Sequence, residues 1–156
     1  MTRTTIETIG SRMMSMALDN LERDGYVAFA ALVIAHNGEV APIMLEHVDA
    51  EQKEKLAALL RQLAPHSQAI VIISEAWTLT KDLVLPLEKP VSEHNERQEG
   101  VFVQVASREG DLLLTTLFSR DESNTPVRPT DITMAWNTEV FNARGTFQNI
   151  FAGVSA

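Results

Sequence analysis

Tyr26-Val27-Ala28-Phe29-Ala30-Ala31-Leu32-Val33-Ile34-Ala35-His36-Asn37-Gly38-Glu39-Val40-Ala41-Pro42-Ile43-Met44-Leu45-Glu46 reads as two apolar strands folded about Asn37-Gly38. An Asn-Gly loop supplies the positive φ that a tight antiparallel hairpin needs at both centres. Such a loop pairs His36 with Glu39, Val33 with Pro42 and Phe29 with Glu46. The first strand is apolar on both faces, so it is expected to be central or covered twice. Pro42 cannot donate to a ladder, which sends the second strand to an edge. Glu109-Gly110 repeats the signal between the apolar runs 101–108 and 111–118. This second hairpin is expected to pair Arg108 with Asp111, Val105 with Leu114 and Val101 with Phe118. The same register sets Glu99 opposite Arg120 and Arg97 opposite Glu122, with opposite charges facing each other.

Around the hairpins the pattern is helical. Ile6, Gly10, Met13, Met14, Ala17, Leu18 and Leu21 form one stripe at spacings of three and four, which predicts a helix over 4–23 ended by Asp24-Gly25. Asp49-Ala50-Glu51-Gln52 is a capping pattern that opens a second helix to about Ala64, with Leu56, Leu59, Leu60 and Leu63 on one side and Pro65 as the stop. Residues 68–80 read as a long strand, rich in β-branched side chains at Ile70, Val71, Ile72 and Ile73. A connection of roughly 17 residues follows, well beyond hairpin length. After the second hairpin, 119–131 is a polar loop holding Pro126 and Pro129. One further strand is expected near Ile132 and Trp136, then a short apolar closing segment. The expected fold is a single α+β domain over 1–156, in the order α-ββ-α-β-ββ-tail. Its sheet is mostly antiparallel, of five or six strands, with two helices on one face. The tail or a second copy of the chain would cover the other face, which favours a homodimer.

Composition narrows the function classes. The 156 residues are 45% hydrophobic and 22% charged, as in an ordinary globular protein. Thirteen Lys and Arg against 21 Asp and Glu give a formal charge of −8. That balance argues against general nucleic-acid binding and against an anionic membrane surface, since both need a basic footprint. The absence of cysteine excludes disulfides, thiolate chemistry and Cys-ligated metal. Glu7, Arg12, Asp19 and Glu22 interrupt any secretion-signal core, and the longest apolar stretch falls far short of the ~20 residues that span a bilayer. A cytoplasmic location is expected.

No phosphate-binding glycine loop, no dinucleotide fingerprint, no nucleophile elbow and no H-E-x-x-H occurs. His36, His47, His66 and His94 have no ligand spacing, so neither a metal nor a cofactor is expected. The second hairpin puts the loops 81–98 and 119–131 at one end of the sheet. They bring Asp82, Glu88, Glu93, His94, Glu96, Arg97, Arg120, Asp121, Glu122 and Arg128 together. His94 among carboxylates could act as a general base there, with Arg97, Arg120 or Arg128 holding an anionic substrate. In Ser74-Glu75-Ala76-Trp77, Glu75 and Trp77 share a face with Ile73. A carboxylate among apolar neighbours must be exposed, paired or pushed toward its protonated form, which makes Glu75 a candidate acid and Trp77 a candidate ligand contact.

Ser74-Glu75-Ala76-Trp77, a variable loop and Arg97-Gln98-Glu99 opening the next strand resemble small uncharacterised proteins of bacteria and their phages. The resemblance covers about the middle third of the chain. It implies a phage or prophage origin and an accessory role, and no particular activity. The first functional reading is therefore an acidic interaction protein without catalysis, one version of which is an inhibitor of a host nucleic-acid enzyme. The second is an enzyme or binding protein for a small phosphorylated or carboxylated ligand at the loop end. The third is a structural subunit of a larger particle.

Overall fold

Apolar side chains on both sides of one central strand govern the architecture. A computed structural model of the chain describes residues 1–45, 49–79, 97–136, 147 and 149–154. The elements run α1 (Arg3–Asp24), β1 (Ala30–Ala35), β2 (Val40–Met44), α2 (Ala50–Leu63), a 3₁₀ turn (Ala64–His66), β3 (Ser67–Leu79), β4 (Arg97–Ser107), β5 (Gly110–Phe118) and β6 (Thr133–Trp136). The strands form one antiparallel sheet in the order β2-β1-β3-β4-β5-β6. This is the α+β architecture and element order that the sequence predicts, with β2 at an edge as Pro42 requires.

The helices lie on opposite faces, not on one. Ala69, Val71 and Ile73 of β3 pack with Val101, Val103, Val105, Leu112 and Leu114 under α1. Ile70 and Ile72 turn the other way, toward Leu56 and Leu60 of α2, with Phe29, Ala31 and Val33 from β1 and its approach. A strand apolar on both sides leaves water only if each side has its own cover, and one helix supplies each. The closing segment joins the α2 side, where Ile150 and Phe151 are buried in the same cluster. One expectation for the α2 stripe also fails: Leu56, Ala57 and Leu60 are buried, whereas Leu59 is exposed.

Both helices start where capping chemistry places them. The Thr2 hydroxyl accepts from the Thr5 N–H at 3.1 Å, and the Asp49 carboxylate accepts from the Gln52 N–H at 2.7 Å. Gly25 ends α1 at φ +82°, its N–H donating to the Leu21 carbonyl. Gly10 has a packing reason. A Cβ there would stand 2.6 Å from Leu114 Cδ1, so glycine lets α1 settle close against β5.

Both hairpin registers differ from expectation. β1 pairs Leu32 with Pro42 and Val33 with Ala41, one residue off. The loop is His36-Asn37-Gly38, closed by Gly38 N–H to the Ala35 carbonyl at 3.0 Å and Ala35 N–H to the Glu39 carbonyl at 2.8 Å. Only Gly38, at φ +89°, takes the left-handed conformation, as the bulge glycine of a three-residue loop. In the second hairpin Ser107 pairs with Gly110 and Glu99 with Phe118, two residues off. Glu99 is thus not directly opposite Arg120.

The closing segment is pinned by Asp111. Its carboxylate accepts from the Asn149 N–H, while burial pushes its pKa up from 3.8 to about 6. The folded state therefore holds this proton more tightly than the unfolded chain, and stability falls as pH rises from about 4 through about 6. Asp111→Asn keeps an acceptor for Asn149 and removes the ionisation. We expect it to raise stability by about 1 kcal/mol at pH 7 and to flatten that part of the pH profile, as read by urea unfolding at several pH values. A variant less stable than the parent at pH 7 would mean that the charged form of Asp111 is required.

Candidate functional site

The end of the sheet anticipated from the loops is formed by the start of β4, the ends of β3, β5 and α1, and the chain entering β1. Because β1, β3, β4 and β5 are antiparallel neighbours, Glu75, Trp77 and Glu99 fall on the α1 side of the sheet, just past the helix end. β3 pairs Trp77 with Glu99 and Glu75 with Val101, so Glu75 and Glu99 are diagonal neighbours on one face. The apolar rows under α1 stop at this point, which is why a carboxylate can follow Ile73.

Arg120 organises the cluster. Its Nε and Nη2 donate to Glu99 Oε1 and Oε2, each at 2.9 Å, in a bidentate pair. Nη2 also donates to the Gly25 carbonyl at 3.3 Å and lies 3.7 Å from Glu75 Oε1, while Nη1 donates to the Asn124 carbonyl at 3.2 Å. The guanidinium stands 5.5 Å from the Phe118 ring. One side chain thus ties the α1 cap, two strands and the following loop. The Glu75 Oε2 accepts from the Val27 N–H at 3.1 Å. Burial raises the Glu75 pKa above its ordinary value, and the nearby Glu99 charge adds to that rise. The Val27 hydrogen bond and Arg120 oppose it.

Arg128, another candidate anion holder, bridges back to α1, 2.7 Å from Asp19 Oδ1 and 3.3 Å from Glu22 Oε2. Asp121 is a turn residue, its carboxylate accepting from the N–H groups of Ser123 at 2.8 Å and Thr125 at 3.0 Å. Arg97 opens β4 with its backbone opposite Leu79. His94, Asp82, Glu88, Glu93 and Glu96 lie outside the described residues, as does His47. Of the sequence candidates, the fold therefore assembles Glu75, Trp77 and Arg120 at one place and puts Arg128 on the flank of α1. Among the described residues no group of three or more His, Asp or Glu is placed to hold a metal ion, and no helix is long and apolar enough to cross a membrane.

The expected pair of Glu99 and Arg120 is present, but as a diagonal contact two residues out of the expected register. One feature of this end escaped the sequence reading. Tyr26 leaves α1 and stays 58% exposed at the end of the sheet where Trp77 is 42% exposed. A tyrosine directly after a helix-ending Asp-Gly was the available signal. No protein-family model, no curated protein and no solved structure matches the chain.

Proposed function

We propose that the chain is an acidic, cytoplasmic interaction protein of phage or prophage type, without catalytic activity. Its docking face is the loop end of the sheet on the α1 side, and its partner is a protein with a basic surface. The supporting observation is how charge and apolar surface divide at this end. Arg23 pairs with Asp24, Arg120 with Glu99 and Glu75, and Arg128 with Asp19 and Glu22, so these three arginines are consumed within the fold. Tyr26 and Trp77 remain exposed at this end, in a chain of net charge −8. Exposed Trp and Tyr combine a large apolar body with a polar tip, which is the composition of binding anchors. An acidic surround selects basic partners and speeds their encounter.

The homodimer expected from the sequence was to cover a bare sheet face, and one helix covers each face; a second copy would instead meet the exposed side chains Val40 and Met44 of edge strand β2. Pro42 in that edge disfavours extension of the sheet by further strands. A second functional reading rests on one observation, the Glu75 carboxyl raised by burial beside Glu99. It is the pattern of a general acid beside a second carboxyl, acting on a small anionic ligand.

Native mass spectrometry of the protein purified gently from its host tests these readings. The interaction reading expects a co-purifying basic protein. Its affinity should fall at least ~30-fold in Tyr26→Ser/Trp77→Ser and should weaken with added salt. A partner retained by the double variant would place docking on another surface. A retained small molecule, lost in Glu75→Gln, would support the enzymatic reading instead.

A further inference from the structure

A single helix is too narrow for the whole α1 side of a six-stranded sheet. Strands about 4.8 Å apart fit two or three at a time under a helix about 10 Å wide. α1 lies over β3, β4 and β5, and the edge hairpin of β1 and β2 stands beyond its flank. Leu32 and Ile34 of β1 point to the α1 side, partly buried against its core. Pro42 and Val40 of β2 sit opposite them in the register and so share that face. Both are exposed, Val40 at 54%.

The helix turns matching side chains toward this hairpin. Glu7 accepts from the Trp136 Nε1–H at 3.0 Å and Glu22 pairs with Arg128, which marks the flank of α1 nearer β6. Ile9, Met13 and Met16, spaced by four and three residues, form the opposite flank. Ile9 and Met13 are partly buried against the core, and Met16 is 52% exposed. Together these side chains make an apolar strip, walled by α1 and floored by β1, that runs out to Val40 and Pro42. None of them is charged, in a chain of net charge −8.

We infer that two copies of the chain pack strip against strip about a two-fold axis. This rests on the homodimer reading and gives it a face. A two-fold axis lays a patch on itself, so a charged patch would meet its own sign. Two chains of −8 repel each other, and an uncharged strip is where they approach at least cost. The exposed parts of these side chains come to roughly 400 Å² per copy, so the pair removes about 800 Å² of apolar surface from water. Interfaces are about 60% apolar, which implies roughly 1,300 Å² in all, the size of a standard specific interface. The ladder opposes the alternative of a sheet continued across β2. Ala35 N–H donates to the Glu39 carbonyl, so alternation turns the backbone of Val40 and Pro42 outward. Pro42 then puts its ring where an added strand needs an N–H.

Sedimentation equilibrium of the full chain from about 1 to about 300 μM tests this, with a dimer expected at a Kd of about 50 μM or tighter. Met16→Glu and Val40→Glu each place two like charges in the pair and should raise that Kd at least ~30-fold. Both side chains are more than half exposed, so the monomer should keep its circular dichroism spectrum. Met16→Leu should dimerise like the parent. Added salt should leave the dimer unchanged or tighten it, the reverse of its effect on a basic partner at the loop end. Methyl NMR of the unsubstituted protein reads the same face without a variant, through concentration-dependent shifts at Met13, Met16, Leu32, Ile34 and Val40. A monomer throughout the range would overturn both this inference and the homodimer reading. A dimer untouched by Met16→Glu and Val40→Glu, a dimer dispersed by salt, or shifts confined to other methyls would overturn the strip and leave the homodimer standing.

Discussion

Leu60→Ala and Leu21→Ala should each lower the free energy of unfolding by about 3 kcal/mol, while Leu59→Ala should change it by less than about 0.5 kcal/mol. Leu59 and Leu60 are adjacent and chemically identical. The difference lies in what surrounds them: Leu60 is 0% exposed beneath the sheet and Leu59 is 42% exposed to water. Leu60 packs with Ile70, Ile72, Ala31 and Phe29, and its truncation opens a cavity in a layer supported by a single helix. Leu21 occupies the matching position on the other face, with Val71, Ile73, Val101 and Phe118 in its cluster. The two clusters share no side chain, so the losses should add. A sum near 6 kcal/mol approaches the whole stability of a domain this size, and the double variant should be largely unfolded. Urea unfolding with an unchanged slope measures each loss. A Leu21→Ala variant as mild as Leu59→Ala would show that α1 does not seal its face.

The two-helix cover was legible in β3 rather than in the helices. An amphipathic helix announces that it has an apolar side, but not which face of a sheet will receive it. Ile70-Val71-Ile72-Ile73 carries that information, because a strand buried on both faces demands two covers. Hairpin register was less legible. β2 is apolar at Val40, Ala41, Pro42, Ile43 and Met44, so neither pairing exposes a misplaced charge, and a slip of one residue passes unnoticed. The second hairpin slips by two, which keeps every side chain on its face, and its alternation therefore looks correct in either register. The pairing of Glu99 with Arg120 survives that slip because the long guanidinium reaches back along the strand. Glu75 was legible as a perturbed carboxyl from its apolar neighbours alone. The place of Arg108 was not: a hairpin-tip arginine reads as solvated until the Ser67 and Pro65 carbonyls are seen to hold it.

Arg120→Leu should cost about 2–4 kcal/mol at pH 7, more than a surface ion pair is worth. The carboxylates it leaves behind set the cost. Glu99 loses both arms of its bidentate partner, and Glu75, already pushed toward its protonated form by burial, loses its nearest cation. Without Arg120 nothing but the Val27 hydrogen bond opposes burial and the Glu99 charge at Glu75, so its pKa rises further and the folded protein takes up protons. A carboxyl whose folded pKa lies above its unfolded value favours folding at low pH and loses that advantage as pH rises through the folded value. The deficit of Arg120→Leu should therefore be smaller at pH 5 than at pH 7. Adding Glu99→Gln removes one of the stranded charges and should recover at least about 1 kcal/mol at pH 7. Arg120→Lys keeps the charge but cannot form the planar pair of hydrogen bonds to Glu99, and should fall between the leucine variant and the parent. If the leucine variant lost the same stability at both pH values, and Glu99→Gln restored none of it, the cost would lie in packing against Phe118. In that case Arg120 would act as an apolar stem rather than as the charge that binds the end of α1 to the sheet.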